Sequence, residues 1–179
     1  MNTLPDHLRP GLRVVFIGYN AGLESARLGH YYAHRGNAFW RQLAESGLVD
    51  PRTFPSLDFS NDGALLAEGI GFTDLCKRPT ARASELSRDE LILGAADLHR
   101  KLKDCQPRVA AFCGRGIFDV FARIELGLSR GRLHGRHWGV QPETVGVTSL
   151  WVIPNSSGLA SKWRSERLRQ LRNLGATLG

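Results

Sequence analysis

Leu12-Arg13-Val14-Val15-Phe16-Ile17-Gly18 is a run of apolar residues, broken only by Arg13, that stops at a glycine. A short apolar run with a turn former at its end reads as a strand buried on both faces. Working outward, Gly69-Ile70-Gly71-Phe72-Thr73-Asp74-Leu75, Val109-Ala110-Ala111-Phe112-Cys113-Gly114 and Ser149-Leu150-Trp151-Val152-Ile153 repeat the pattern, the last ended by Pro154-Asn155. Between them lie helical signals. Phe39, Trp40, Leu43 and Ala44 share one helical face. Ser87 and Glu90 form a capping box that opens a helix to about Asp104. Ile117, Val120, Phe121 and Ile124 make another stripe, and a basic helix is expected from about Ser165 to Leu174. The expected fold is α/β: a three-layer α/β/α sandwich with a central, mainly parallel sheet, in one domain spanning 1–179. Residues 1–10 read as a lead-in, Asp50 to Asp62 as a turn-rich loop, and Ser129 to Gly139 as a basic, glycine-rich loop.

The 179 residues carry 24 Lys plus Arg against 17 Asp plus Glu, a net charge of +7. That balance points to an anionic partner, nucleic acid first. No apolar run reaches the roughly 18 residues of a membrane helix. The start Met1-Asn2-Thr3-Leu4-Pro5-Asp6 has neither a basic opening nor an apolar core, so no secretory signal is expected. The three cysteines, Cys76, Cys105 and Cys113, include no CxxC pair. They read as small residues in a reducing, cytoplasmic setting, without a disulfide framework or zinc ribbon.

In such sheets ligands sit beyond the carboxyl ends of the strands. That directs attention to residues 18–37, 74–80, 114–116 and 155–162. In Gly18-Tyr19-Asn20-Ala21-Gly22, two glycines around an asparagine let backbone N–H groups approach a ligand. A tight strand-to-helix turn is the plainer reading of that loop alone. In Asn155-Ser156-Ser157-Gly158-Leu159-Ala160, an apolar Leu159 sits among small residues with Lys162 and Arg164 just beyond. A solvated leucine or an apolar wedge between bases both fit.

Taken together the loops resemble the mismatch-specific uracil-DNA glycosylases, which act on uracil or thymine opposite guanine. The matching elements are Gly18-Tyr19-Asn20-Ala21-Gly22, Tyr32-Ala33-His34, Asn37-Ala38-Phe39-Trp40, Arg78-Pro79-Thr80 and Asn155-Ser156-Ser157-Gly158-Leu159, in the family's order along nearly the whole chain. Ala21 and Ser156 stand where the family usually has loop-stiffening prolines, so looser turns are expected. Ser161 stands where some members carry arginine. Branches of the wider superfamily that carry an iron–sulfur cluster need four cysteines, and this chain has three.

The resemblance implies a monofunctional glycosylase in base excision repair. Its partner would be double-stranded DNA containing uracil mismatches, bound by a monomer, with no metal, no cofactor and no membrane. By resemblance, Asn20 holds the attacking water, Tyr32 stacks on the flipped base, and backbone groups at Gly18, Tyr19 and Gly22 with Asn155 bind it. Ser25 lies beside the pyrimidine 5-position. Leu159 fills the vacated stack, the backbone of Gly158 and Ala160 reads the edge of the orphaned guanine, Ser157 belongs to the same DNA-binding loop, and Lys162 and Arg164 supply charge for phosphate.

Asp74 is not carried over, because some relatives have lysine there. It closes the second strand at the edge that bears Asn20 and Asn155. A carboxylate at that point could polarise water or stabilise a cation-like sugar. The alternative is a loop aspartate paired with Lys77 or Arg78, or capping a turn. His34 is read as holding its loop through a backbone hydrogen bond, in preference to a phosphate contact. His134 and His137, on a glycine-rich loop, read as no metal site. Arg130, Arg132 and Arg136, and Arg164, Arg167, Arg169 and Arg172, are either solvated or DNA-facing. Three competing functions remain: a uracil glycosylase of broad range, a non-catalytic lesion sensor, and a small-molecule nucleotide binder using the Gly18 loop.

Overall fold

A computed structural model describes residues 3–179, the side chain of Leu159 excepted. Five strands form one sheet in the order β2-β1-β3-β5-β4: β1 Val14–Gly18, β2 Ile70–Asp74, β3 Val109–Cys113, β4 Gly139–Val145 and β5 Thr148–Ile153. Every pairing is parallel except β4 with β5.

Alternation along each strand sends side chains to two separate cores. Val14, Phe16, Phe72, Ala111 and Trp151 join helices α1 (Leu23–Leu28), α2 (Phe39–Glu45) and α6 (Arg164–Leu178) on one face. Val15, Ile17, Ala110, Phe112 and Val152 join α3 (Arg88–Cys105) and α4 (Arg115–Glu125) on the other. The three-layer α/β/α arrangement with a mainly parallel sheet is therefore as expected. Ser87 caps α3 as its sequence predicts: its hydroxyl accepts from the Glu90 N–H at 3.2 Å, and Glu90 accepts from the Ser87 N–H at 2.8 Å.

Three elements depart from the sequence reading. β4, an antiparallel edge strand with a bulge between Val140 and Thr144, falls in a stretch whose exposed and buried positions give no long apolar run. The basic loop holds a one-turn helix, α5 (Arg130–Leu133), started by the Ser129 hydroxyl. The segment read as a lead-in is part of the fold. Leu4 is buried, and His7 exchanges backbone hydrogen bonds with Phe72 at 2.9 and 3.0 Å.

Because β1 lies between β2 and β3, the chain leaves β1 toward one face of the sheet and leaves β3 toward the other. The two exits diverge and open a crevice at the carboxyl edge.

Candidate active site

The crevice is a cavity of about 520 Å³. Gly18, Tyr19, Asn20, Gly22, Ser25, Tyr32, Asp74 and Asn155 all line it, so residues from three of the four expected segments converge, while 114–116 contributes none. Ser157 and Gly158 complete the rim. Ala160 is half-buried on the 3₁₀ turn Gly158–Trp163, while Lys162 and Arg164 are exposed beyond the cavity. The wedge expected at Leu159 is a side chain outside the described residues.

The Gly18 loop is tied down by the segment after β2. Leu75, Cys76 and Thr80 donate backbone hydrogen bonds to the carbonyls of Gly18, Tyr19 and Ala21 at 2.9, 2.9 and 3.1 Å, continuing the parallel ladder past the strand ends. Ala21 is thus anchored without a proline. Ser156 is buried, and its carbonyl accepts from the Ala38 N–H at 2.9 Å. Backbone pairing secures both loops in place of ring rigidity.

Asn20 is oriented by its partners. Its Nδ2 donates to the Arg78 carbonyl at 2.8 Å and to Thr80 Oγ1 at 2.7 Å. The Thr80 hydroxyl spends its own proton on the Arg82 carbonyl at 2.9 Å, so it can only accept from Asn20. Both amide protons are committed, and Oδ1 is left as the acceptor of a cavity-lining residue.

Asp74 is 5% exposed. Both cations expected as its partners are engaged elsewhere. Lys77 pairs with Asp6 and donates to the Leu4 carbonyl at 3.0 Å and to Tyr31 Oη at 3.2 Å. Arg78 pairs with Glu90 at 2.5 Å. Among the described residues the carboxyl therefore has no direct cationic partner in the cavity, and burial pushes its pKa up to about 7. Lys77 and Lys101 pull it down from a distance, and Asp6 pushes it up.

Tyr32 has a left-handed backbone, φ 53°, which turns its ring inward. The ring stacks on Phe39 with centroids 4.2 Å apart at 21°, and among the described residues its buried hydroxyl makes no hydrogen bond. The loop before it is held by Asp62, which accepts from the Tyr31 N–H at 2.9 Å and from His30 at 3.0 Å. The Ser25 hydroxyl accepts from the Ala33 N–H at 3.1 Å. His34 holds its turn as read, accepting from the Gly36 N–H at 3.0 Å. Asn155 makes an Asx turn, its Oδ1 accepting from the Ser157 N–H at 2.7 Å.

The family model described as the Uracil DNA glycosylase superfamily matches residues 5–178. The chain belongs to that superfamily. Membership implies a hydrolase of the N-glycosidic bond that acts on DNA. In architecture the chain is similar to a solution structure from Methanosarcina acetivorans, provisionally assigned as a uracil DNA glycosylase. The TM-score is 0.65 at 20% identity, with 99% of this chain and 97% of that one covered. That likeness carries the fold. Among the described residues no helix is long and apolar enough to cross a membrane.

Two basic residues need correcting. Arg167 does not face solvent or DNA: it is 1% exposed, and its guanidinium donates to Gln42 Oε1 and to the Asn155 carbonyl. It is a buried strut under the Asn155 loop. Arg136 is bound to Glu143 at 2.5 Å. Sequence reasoning missed Leu4 and Cys113 as cavity walls. Nothing local marks Leu4, whose place depends on the N-terminal segment crossing to β2.

Proposed function

We propose that this single domain is a monofunctional DNA glycosylase that removes uracil opposite guanine from duplex DNA, working as a monomer in the cytoplasm. The observation that carries the reading is the convergence of Asn20 Oδ1 and the Asp74 carboxyl on one cavity whose wall includes the Tyr32 ring. A glycosylase must extrude the nucleotide, at a few kcal/mol and less at a mismatch. The flipped base then lies against Tyr32, with Gly18, Tyr19, Gly22 and Asn155 supplying polar contacts and Ser25 near its 5-position. Negative charge grows on the base as the bond breaks, so fixed donors stabilise the transition state more than the substrate. The sugar becomes cation-like and needs only a positioned water. Asn20 holds that water through Oδ1, and ionised Asp74 polarises it or stabilises the cation. Leu159 fills the vacated stack, with Ser157, Gly158 and Ala160 around it and Lys162 and Arg164 on phosphate.

A second reading keeps the chemistry and widens the range to uracil in any pairing. The Asp74 carboxyl, buried and without a direct cationic partner among the described residues, favours it, since a stronger activator of water depends less on help from the mismatch. Single-turnover excision on duplexes differing only in G·U, A·U or G·T, plus single-stranded uracil, separates the two. Activity confined to G·U and abolished by Asn20→Ala supports the first. Activity in all uracil contexts, abolished by Asp74→Asn, supports the second. No excision from any of them sinks both.

A further inference from the structure

Outside the cavity, the surface next to the wedge loop carries two tryptophans. Trp163 ends the 3₁₀ turn Gly158–Trp163 and is 38% exposed. Trp138, half-buried just before β4, meets it edge to face with ring centroids 5.3 Å apart at 69°. Each ring has its own cation. The Arg115 guanidinium lies 5.1 Å from the centre of Trp138, and the Lys162 ammonium 5.5 Å from that of Trp163. Arg115 also donates to the carbonyls of Arg136 and His137 at 3.1 and 2.6 Å, which fixes the loop carrying Trp138.

Of the arginines flanking this pair, Arg136 is bound to Glu143 and Arg169 to Glu166. Lys162 and Arg164 have no carboxylate partner among the described residues, and both are exposed. Trp163 keeps part of its ring in solvent while Trp138 braces it in one orientation beside these cations. Large amphipathic rings with adjacent positive charge suit a ligand that is apolar on one side and anionic on the other. In duplex DNA the bases stay stacked, so the apolar surface offered next to a phosphate is the face of the deoxyribose.

We propose that Trp163, braced by Trp138, packs against a backbone sugar of the duplex flanking the lesion, with Lys162 and Arg164 on the adjoining phosphates. This extends the DNA contact beyond the wedge loop, and it rests on duplex DNA being the substrate. The contact is with backbone, so it is independent of the flipped base and of sequence.

Fluorescence and equilibrium titration test it with an undamaged duplex, and with the same duplex carrying one abasic analogue opposite guanine. Wild type should show tryptophan quenching on both. Trp163→Ala should weaken binding to both duplexes by a similar factor, about tenfold, and remove most of the quenching, while Trp163→Phe retains most of the affinity. Lys162→Gln should lower the slope of log affinity against log salt by about one. More than half of the side chain is covered, so Trp163→Ala should also lower the unfolding temperature by a few degrees, and binding is compared at a temperature where every variant is folded. Trp163→Ala binding both duplexes as wild type does would overturn the contact and leave the glycosylase reading intact. Weakening on the abasic duplex alone would overturn the backbone assignment. Wild type binding neither duplex would remove both readings.

Discussion

Gly18 and Asp74 occupy one register position at the ends of β1 and β2, and a β-carbon at residue 18 would fall well inside contact distance of Asp74 Oδ1. The absent side chain of one residue is the space that holds the carboxyl of the other. The same point lies 3.5 Å from Tyr32 Oη, so the glycine makes room at the cavity floor for both groups. Gly18→Ala should displace the carboxyl and cut single-turnover excision by about a hundredfold or more, because misplacement of about 1 Å is that costly. An alanine variant with wild-type rates would mean that the position of Asp74 does not matter to the chemistry.

The pH profile follows from the same carboxyl. If ionised Asp74 acts on water, excision should fall as pH drops through about 7, the value to which burial pushes it. The neighbouring charges allow a two-way check. Lys77→Met removes a cation that lowers the value, so the acid limb should move to higher pH. Asp6→Asn removes an anion that raises it, so the limb should move to lower pH. Tyr31, Tyr32, Cys76 and Cys113 also surround the site, but each is pushed above its ordinary value and stays neutral through this range. Single-turnover rates between pH 5 and 9 measure the limb. Shifts of both variants in one direction would mean packing damage.

Asp74 should also cost stability. Its folded value lies above the ordinary carboxyl value of 3.8, so folding keeps a proton that the unfolded chain releases. Below about pH 4 both states are protonated and nothing is lost. Between about 4 and 7 stability falls, and above 7 the loss is constant. Asp74→Asn mimics the protonated form and should raise the unfolding free energy by a few kcal/mol at pH 8, with little change at pH 4. Denaturant titrations at the two pH values test this, and an equal effect at both would mean that the carboxyl is not buried as charge.

Thr80 positions Asn20. Thr80→Val removes the acceptor for one amide proton at near-constant volume, so the Asn20 amide gains freedom to rotate. Excision should drop about tenfold, with Thr80→Ser retaining most of it. The rate for saturating enzyme is the measurement, since loss of substrate affinity alone would point elsewhere.

Arg167 should matter for stability. Arg167→Met strips a buried donor from the Asn155 carbonyl and from Gln42. It should cost about 2–4 kcal/mol by leaving those acceptors unsatisfied. Lysine should not rescue it, because one ammonium cannot reproduce the two-point fork. Thermal or denaturant unfolding of both variants checks this.

The apolar runs at Val14–Gly18, Ile70–Asp74, Val109–Cys113 and Thr148–Ile153, and the Ser87 cap, made the central sheet and its long helix legible from residues alone. These signals are local. A strand buried on both faces must be apolar throughout, and a cap lies next to the helix it starts. Since ligands in such sheets sit at the carboxyl edge, the loops holding Asn20, Asp74 and Asn155 were legible too. β4 was not, because an edge strand half in solvent has no continuous apolar run. Nor was the role of the first ten residues, whose hydrogen bonds go to Phe72, more than sixty residues away. Whether Asp74 would be spent on a lysine or kept for the cavity was beyond the sequence. Lys77 and Arg78 stand close to it in the chain, yet Asp6 and Glu90 take them. Spacing determines which charges are close along the chain. Only the packed backbone decides which carboxylate each cation reaches, and so which one is left buried in the cavity wall.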